Sequence, residues 1–107
     1  RREAPCSAER LSVVAVTTDL RHDLHEQLYG CFEAQEWPDK ELVVVETYCL
    51  RPSPFLAEAA ARDPRVVFLA LHVPEDDEDL TVGLKRNIGL HLASGHWVAA
   101  FDDDDLY

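Results

Sequence analysis

At 107 residues the chain falls short of the roughly 150 that serve as a prior for one domain, which excludes a second compact domain. Hydrophobic residues at 47% and charged residues at 29% suffice for a buried core and argue against disorder, a collagen or a disulfide scaffold. Ten basic against 21 acidic residues leave a net charge of −11, a field that repels phosphate backbones and anionic membranes, so nucleic acid is not an expected partner.

Residues 1–9 are polar and read as a loose lead-in. Leu11-Ser-Val-Val-Ala-Val16 is a β-branched run of strand length, followed by the turn-prone Thr17-Thr18-Asp19. Leu20, Leu24, Leu28 and Phe32 recur every four residues, a helical stripe that Trp37-Pro38-Asp39 stops. Glu41 to Glu46 is a second apolar strand, and Pro54 to Arg62 an Ala-rich helix with proline near its start, where the missing N–H costs least. Val66 to Leu71 is a third strand, and Pro74 to Asp79 an acidic segment that reads as a solvated surface loop. Leu80, Leu84, Ile88 and Leu92 mark a third amphipathic helix ending near Gly95, and Trp97 to Phe101 is a fourth strand that runs into four consecutive aspartates, Asp102 to Asp105.

Strand and helix alternate three times, and the strands are continuous apolar runs, the pattern of strands buried on both faces of a parallel sheet. Right-handed crossovers then give an open, Rossmann-like α/β sheet, β-α-β-α-β-α-β, with helices on both sides. Ligands of such sheets bind beyond the carboxyl ends of the strands. That places Thr17 to Asp19, Glu46 to Tyr48 and Asp102 to Asp105 at the expected site.

The four glycines form neither a dinucleotide fingerprint nor a phosphate loop, and no Gly-x-Ser-x-Gly elbow or His-Glu-x-x-His pair is present. Cys6, Cys31 and Cys49 are odd in number without Cys-x-x-Cys spacing, and read as buried or idle thiols. His22 and His25 are one helical turn apart but lack a third ligand nearby in sequence, and His72, His91 and His96 read as surface or lining residues. No apolar stretch approaches the roughly 18 to 20 residues of a membrane span, and the N-terminus lacks the apolar run of a secretory signal. The cytoplasm is the default expectation for localisation. The absence of Met and the start at Arg1 suggest a processed chain or a fragment.

Two features ask for a chemical reason. In an extended segment Asp102 and Asp104 share one side, about 7 Å apart, and repel by roughly 2 kcal/mol at an effective dielectric near 20. A solvated acidic tail needs no compensation, whereas carboxylates at the mouth of a sheet call for a divalent cation bridging them to phosphate oxygens. Gly83 and Gly89 each cost about 1 kcal/mol inside a helix, so either the helix starts after Gly83 or close packing demands a missing side chain. Arg86 lies in a small basic island, Lys85-Arg86-Asn87, and either balances acidic neighbours or faces the crevice.

Leu11 to Asp19, Gln35-Glu-Trp-Pro38 with Glu41 to Glu46, Gly83-Leu-Lys-Arg-Asn-Ile-Gly89, Ala93-Ser-Gly95 and Phe101 to Asp105 together resemble the nucleotide-binding half of family 2 glycosyltransferases with the GT-A fold. The resemblance covers residues 10–107. It implies a nucleotide-sugar donor, most simply a UDP-sugar, and Mn²⁺ or Mg²⁺ as cofactor. It places Asp102 on the nucleotide's ribose side and beside the metal, Asp104 on the metal, Thr17 in the turn that contacts the nucleotide, Arg86 near the base, and Glu46 where the family bonds the base with Asp. Val16 stands where the family has Pro, Thr18-Asp19 where it has Tyr-Asn, and Thr47-Tyr48-Cys49 where it has Asp-Gly-Ser. The general base and acceptor half are expected beyond Tyr107, so the resemblance implies a donor-binding half, incomplete at the C-terminus. A non-catalytic nucleotide- or cation-binding relic of the same fold is the alternative. Sugar, acceptor, stereochemical outcome, membrane attachment and oligomeric state have no signature in these residues.

Overall fold

The computed structural model describes residues 10–75 and 77–102; the lead-in at 1–9, Asp76, the segment from Asp103 to Tyr107 and the Asp102 side chain lie outside the described residues. The elements are β1 (Leu11–Thr18), α1 (His22–Ala34), β2 (Lys40–Tyr48), α2 (Pro54–Arg62), β3 (Val66–His72), α3 (Val82–Leu92) and β4 (Trp97–Asp102), with a 3₁₀ turn at Asp19–Arg21 leading into α1. The strands form one parallel sheet in the order β3-β2-β1-β4. The chain therefore builds outward from β1 to β3 and then crosses back to lay β4 on the other side of β1. This is the open Rossmann-like α/β sheet that the alternation of elements predicts.

Side-chain alternation divides the sheet between the helices. Val13, Ala15, Leu42 and Val44 point to the face where Leu28 and Phe32 of α1 and Leu56 of α2 complete a buried cluster with Val66 and Phe101. Val14 and Val45 point to the opposite face, under α3. The β1 and β2 interiors are closed on both sides, while most of β3 is half-buried and Trp97 and Val98 of β4 are exposed.

Local chemistry fixes the helix ends. Ser53 and Thr81 cap α2 and α3 by accepting the N–H of Leu56 and Leu84, and Pro54 occupies the first turn of α2. At the other end of α1, the Lys40 ammonium donates to the carbonyls of Phe32 (2.6 Å), Glu33 (3.0 Å) and Gln35 (2.7 Å), where the helix leaves acceptors unmatched.

Two helical stripes differ from the sequence expectation. Leu20 is 88% exposed because it falls in the 3₁₀ turn before α1, and the buried side of α1 is His25, Leu28 and Phe32. In α3 the leucine stripe is not the buried side: Leu84 and Leu92 are exposed, and the helix buries Lys85 and Gly89. The cause is backbone proximity. A Cβ on Gly89 would stand 2.5 Å from Val14 Cγ1, so the helix meets the sheet along its glycine rather than its leucines. Gly83 lies inside α3 with nothing within 4 Å of a Cβ, so close packing accounts for Gly89 alone. A similar approach occurs at Gly95, where a Cβ would meet the Ser12 hydroxyl at 2.5 Å and the Arg10 carbonyl at 2.7 Å.

Candidate functional site

The carboxyl ends of β1, β2 and β3 open into a crevice of about 390 Å³. Its walls come from the turn after β1 (Thr18, Asp19), the exit of β2 (Thr47, Tyr48) and the acidic loop after β3 (Pro74, Glu75, Asp79). The acidic loop is exposed, as expected of a solvated segment, yet it also forms one rim of the crevice.

Two ties hold this crevice in shape. Asp19 Oδ2 accepts the backbone N–H of Cys49 (3.0 Å) and Leu50 (3.2 Å), stitching the β1 turn to the β2 exit. Burial works to raise the Asp19 carboxyl, but those two donors and nearby His22 outweigh it and hold it below its ordinary value. Across the crevice, Lys85 Nζ lies 2.9 Å from Asp79 Oδ2 and 3.5 Å from the Thr17 carbonyl. The Lys85 side chain is 4% exposed, an ammonium drawn down toward the end of β1. Partial burial of Asp79 is likewise outweighed, by Thr47 and Lys85, and its carboxyl stays below its ordinary value.

Thr17 and Glu46 are paired in register on adjacent strands and share the face covered by α1. Neither lines the crevice itself; both are buried beside it. The Thr17 hydroxyl is 2.8 Å from His25 Nε2. Glu46 is fully buried: Oε1 accepts the Ser53 N–H (2.8 Å), and Oε2 lies 3.0 Å from His22 Nε2. Burial pushes the Glu46 carboxyl above its ordinary value, against the pull of Ser53 and His22. Arg86 is exposed on α3, one position beyond Lys85. Asp102 ends β4 opposite Val16, so its backbone adjoins the β1 turn; its carboxylate and all of Asp104 lie outside the described residues.

The fold thus gathers Thr17, Glu46 and the Asp102 backbone at one end of the sheet. It adds Lys85, Asp79 and His22, which sequence reasoning passed over, and gives Asp19, already expected at this end of the sheet, its role as a brace between the β1 turn and the β2 exit. Lys85 had a signal: it stands four residues before Gly89, hence on the same helical side as the residue that touches the sheet. His22 and His25 lack a third ligand in sequence, but the fold brings Glu46 to them. The donor atoms of all three residues lie within 4.8 Å of one another. Cys31 and Cys49 are free thiols, and Cys6 is outside the described residues. His72, His91 and His96 are exposed. Among the described residues no helix is long and apolar enough to cross a membrane.

No protein-family model matches the chain. Over 72 residues it is 40% identical to the succinoglycan biosynthesis protein ExoO of Rhizobium meliloti (strain 1021), a match that takes in 67% of this chain and 19% of that protein. The chain therefore spans about a fifth of the relative that it matches.

Proposed function

We propose that the chain is the donor-binding half of a metal-dependent glycosyltransferase, which takes a nucleotide-diphospho-sugar, most simply a UDP-sugar, and passes the sugar to an acceptor hydroxyl. One observation carries the reading. The backbone of Asp102, where β4 ends, pairs with Val16 of β1, two positions before Thr18 in the crevice wall, and this pairing supports assigning the Asp run that follows in sequence to the ligand end. The match to a protein named for succinoglycan biosynthesis supports sugar transfer as the chemistry.

In this proposal Asp102 and Asp104 would hold Mn²⁺ or Mg²⁺, and the ion when bound would supply charge neutralisation for the departing diphosphate. The chain's own residues position the nucleotide. Thr18 and the Asp19-braced turn bound one side with Thr17 buried directly behind them, and Lys85, already at the β1 end, together with Arg86 supplies positive charge in a chain of net charge −11. Glu46, with both oxygens engaged, reaches the base directly only when its His22 contact opens. The acceptor half and its general base are assigned to residues beyond Tyr107.

Equilibrium binding of UDP to the chain, with and without Mn²⁺, tests the proposal. Binding that requires the metal and is cut in Asp102→Ala supports it; metal-independent or absent UDP binding refutes it. Metal-dependent UDP binding without release of sugar from any UDP-sugar, even with acceptor supplied in the longer protein, would select the non-catalytic alternative.

A further inference from the structure

We propose that His22, His25 and Glu46 form a binding site for one zinc-class divalent transition-metal ion, separate from the Asp run. Two elements contribute: His22 opens α1, His25 lies one turn on, and Glu46 comes from the end of β2. Their donor atoms all lie within 4.8 Å of one another, and His22 Nε2 and Glu46 Oε2 are already 3.0 Å apart. A tetrahedral ion with bonds of about 2.0–2.2 Å seats its ligands roughly 3.3–3.6 Å from each other, so the cluster needs only a modest contraction.

Burial prepares the ligands. His25 and Glu46 are fully buried, so packing fixes their rotamers, while the His22 side chain is 25% exposed and leaves a route for the ion and a solvent ligand. Orienting partners are in place as well. The Thr17 hydroxyl stands 2.8 Å from His25 Nε2, and the Ser53 N–H anchors the other oxygen of Glu46. Such outer partners set ring orientation and ligand basicity at metal centres. The donor set also selects the ion: two imidazoles and one carboxylate suit Zn²⁺ or Co²⁺, whereas an all-carboxylate run suits Mg²⁺ or Mn²⁺. An ion here would tie the start of α1 to the end of β2, behind the crevice wall. The proposal does not depend on the sugar-donor reading.

Co²⁺ titration of the metal-stripped chain, with no nucleotide present, reads the site directly. The expected result is one equivalent bound, with the visible absorption of a four- or five-coordinate ion that Zn²⁺ displaces. Thr17→Val should weaken binding about 10- to 100-fold and His22→Ala by more, whereas Asp104→Ala should leave it unchanged. Circular dichroism verifies that His22→Ala remains folded; if it does not, the ring resonances of His22 and His25 in the native chain must shift on Zn²⁺ addition. Absent Co²⁺ absorption, undiminished affinity in folded His22→Ala, unmoved ring resonances, or loss of binding in Asp104→Ala would each overturn the proposal. Because UDP is omitted, failure here leaves the sugar-donor reading standing, and the reverse also holds.

Discussion

Replacing Gly89 with alanine tests how α3 meets the sheet. The new Cβ would stand 2.5 Å from Val14 Cγ1 and 3.6 Å from Val45 Cγ2, against ordinary carbon contacts of about 3.5–4.0 Å. Val14 cannot swing away, because it is 3% exposed on a strand hydrogen-bonded on both sides. Overpacking of this kind costs about 1–3 kcal/mol, while alanine gains about 1 kcal/mol over glycine in a helix interior. The net result is a loss of about 1 kcal/mol, a fall of roughly 4–8 °C in melting temperature for a domain of this size. Gly30 is the internal comparison, since it is exposed in the middle of α1 with nothing within 4 Å of a Cβ. Gly30→Ala should therefore stabilise by about 1 kcal/mol. Urea unfolding followed by far-ultraviolet circular dichroism measures both. Equal stabilisation by the two substitutions would refute close approach at Gly89, and with it the account of why Lys85 faces the end of β1.

Removing the buried ammonium in Lys40→Met should cost about 2 kcal/mol, because three carbonyls at the end of α1 lose a charged donor; a urea midpoint unchanged from the native chain would contradict this. Tyr29 donates to Asp63 Oδ2 at 2.7 Å, and hydrogen bonds with Asp63 and Glu33, then burial, push its phenol up to about 12. Its raised value means a contribution to stability that is complete below the unfolded value near 10 and lost as pH rises through about 12. Ultraviolet titration should show one tyrosine ionising near 12, and titration of all three near 10 would refute it. Asp63 is held far below the ordinary carboxylate range, chiefly by hydrogen bonds from the Arg65 side chain that outweigh burial. Its contribution is therefore present above the unfolded value near 3.9 and lost as pH falls toward the folded one. Asp63→Asn should lose less stability than the native chain between neutral and strongly acidic pH, and parallel losses would contradict that.

Apolar runs and breakers were enough to read β1 through β4 and the order of helices, because β1 and β2 are closed on both faces and their composition records it. Helical faces were harder. The leucines of α3 advertise a buried stripe, but contact distance is set by the residue that has no side chain, and Gly89 leaves the leucines outside. A periodicity count weighs apolar side chains and gives none to their absence. The convergence of the strand ends was legible: Thr17 and Glu46 pair in register, and β4 ends beside them. What those residues bond to was not legible. His22 sits 24 positions from Glu46 and Lys85 68 from Thr17, so their meeting depends on the crossover geometry. Attention to charge alone favoured Arg86 over Lys85, whereas the helical register with Gly89 distinguishes them.

The central claim, that the carboxylates following β4 hold a cation-bound diphosphate at the β1 turn, is tested most directly by locating Mn²⁺ through anomalous scattering in crystals grown with UDP. The account predicts a single peak bonded to Asp104 and to diphosphate oxygens, with the nucleotide passing the Thr17 turn. A peak at the acidic loop or on an outer edge of the sheet, with UDP elsewhere or absent, would contradict it.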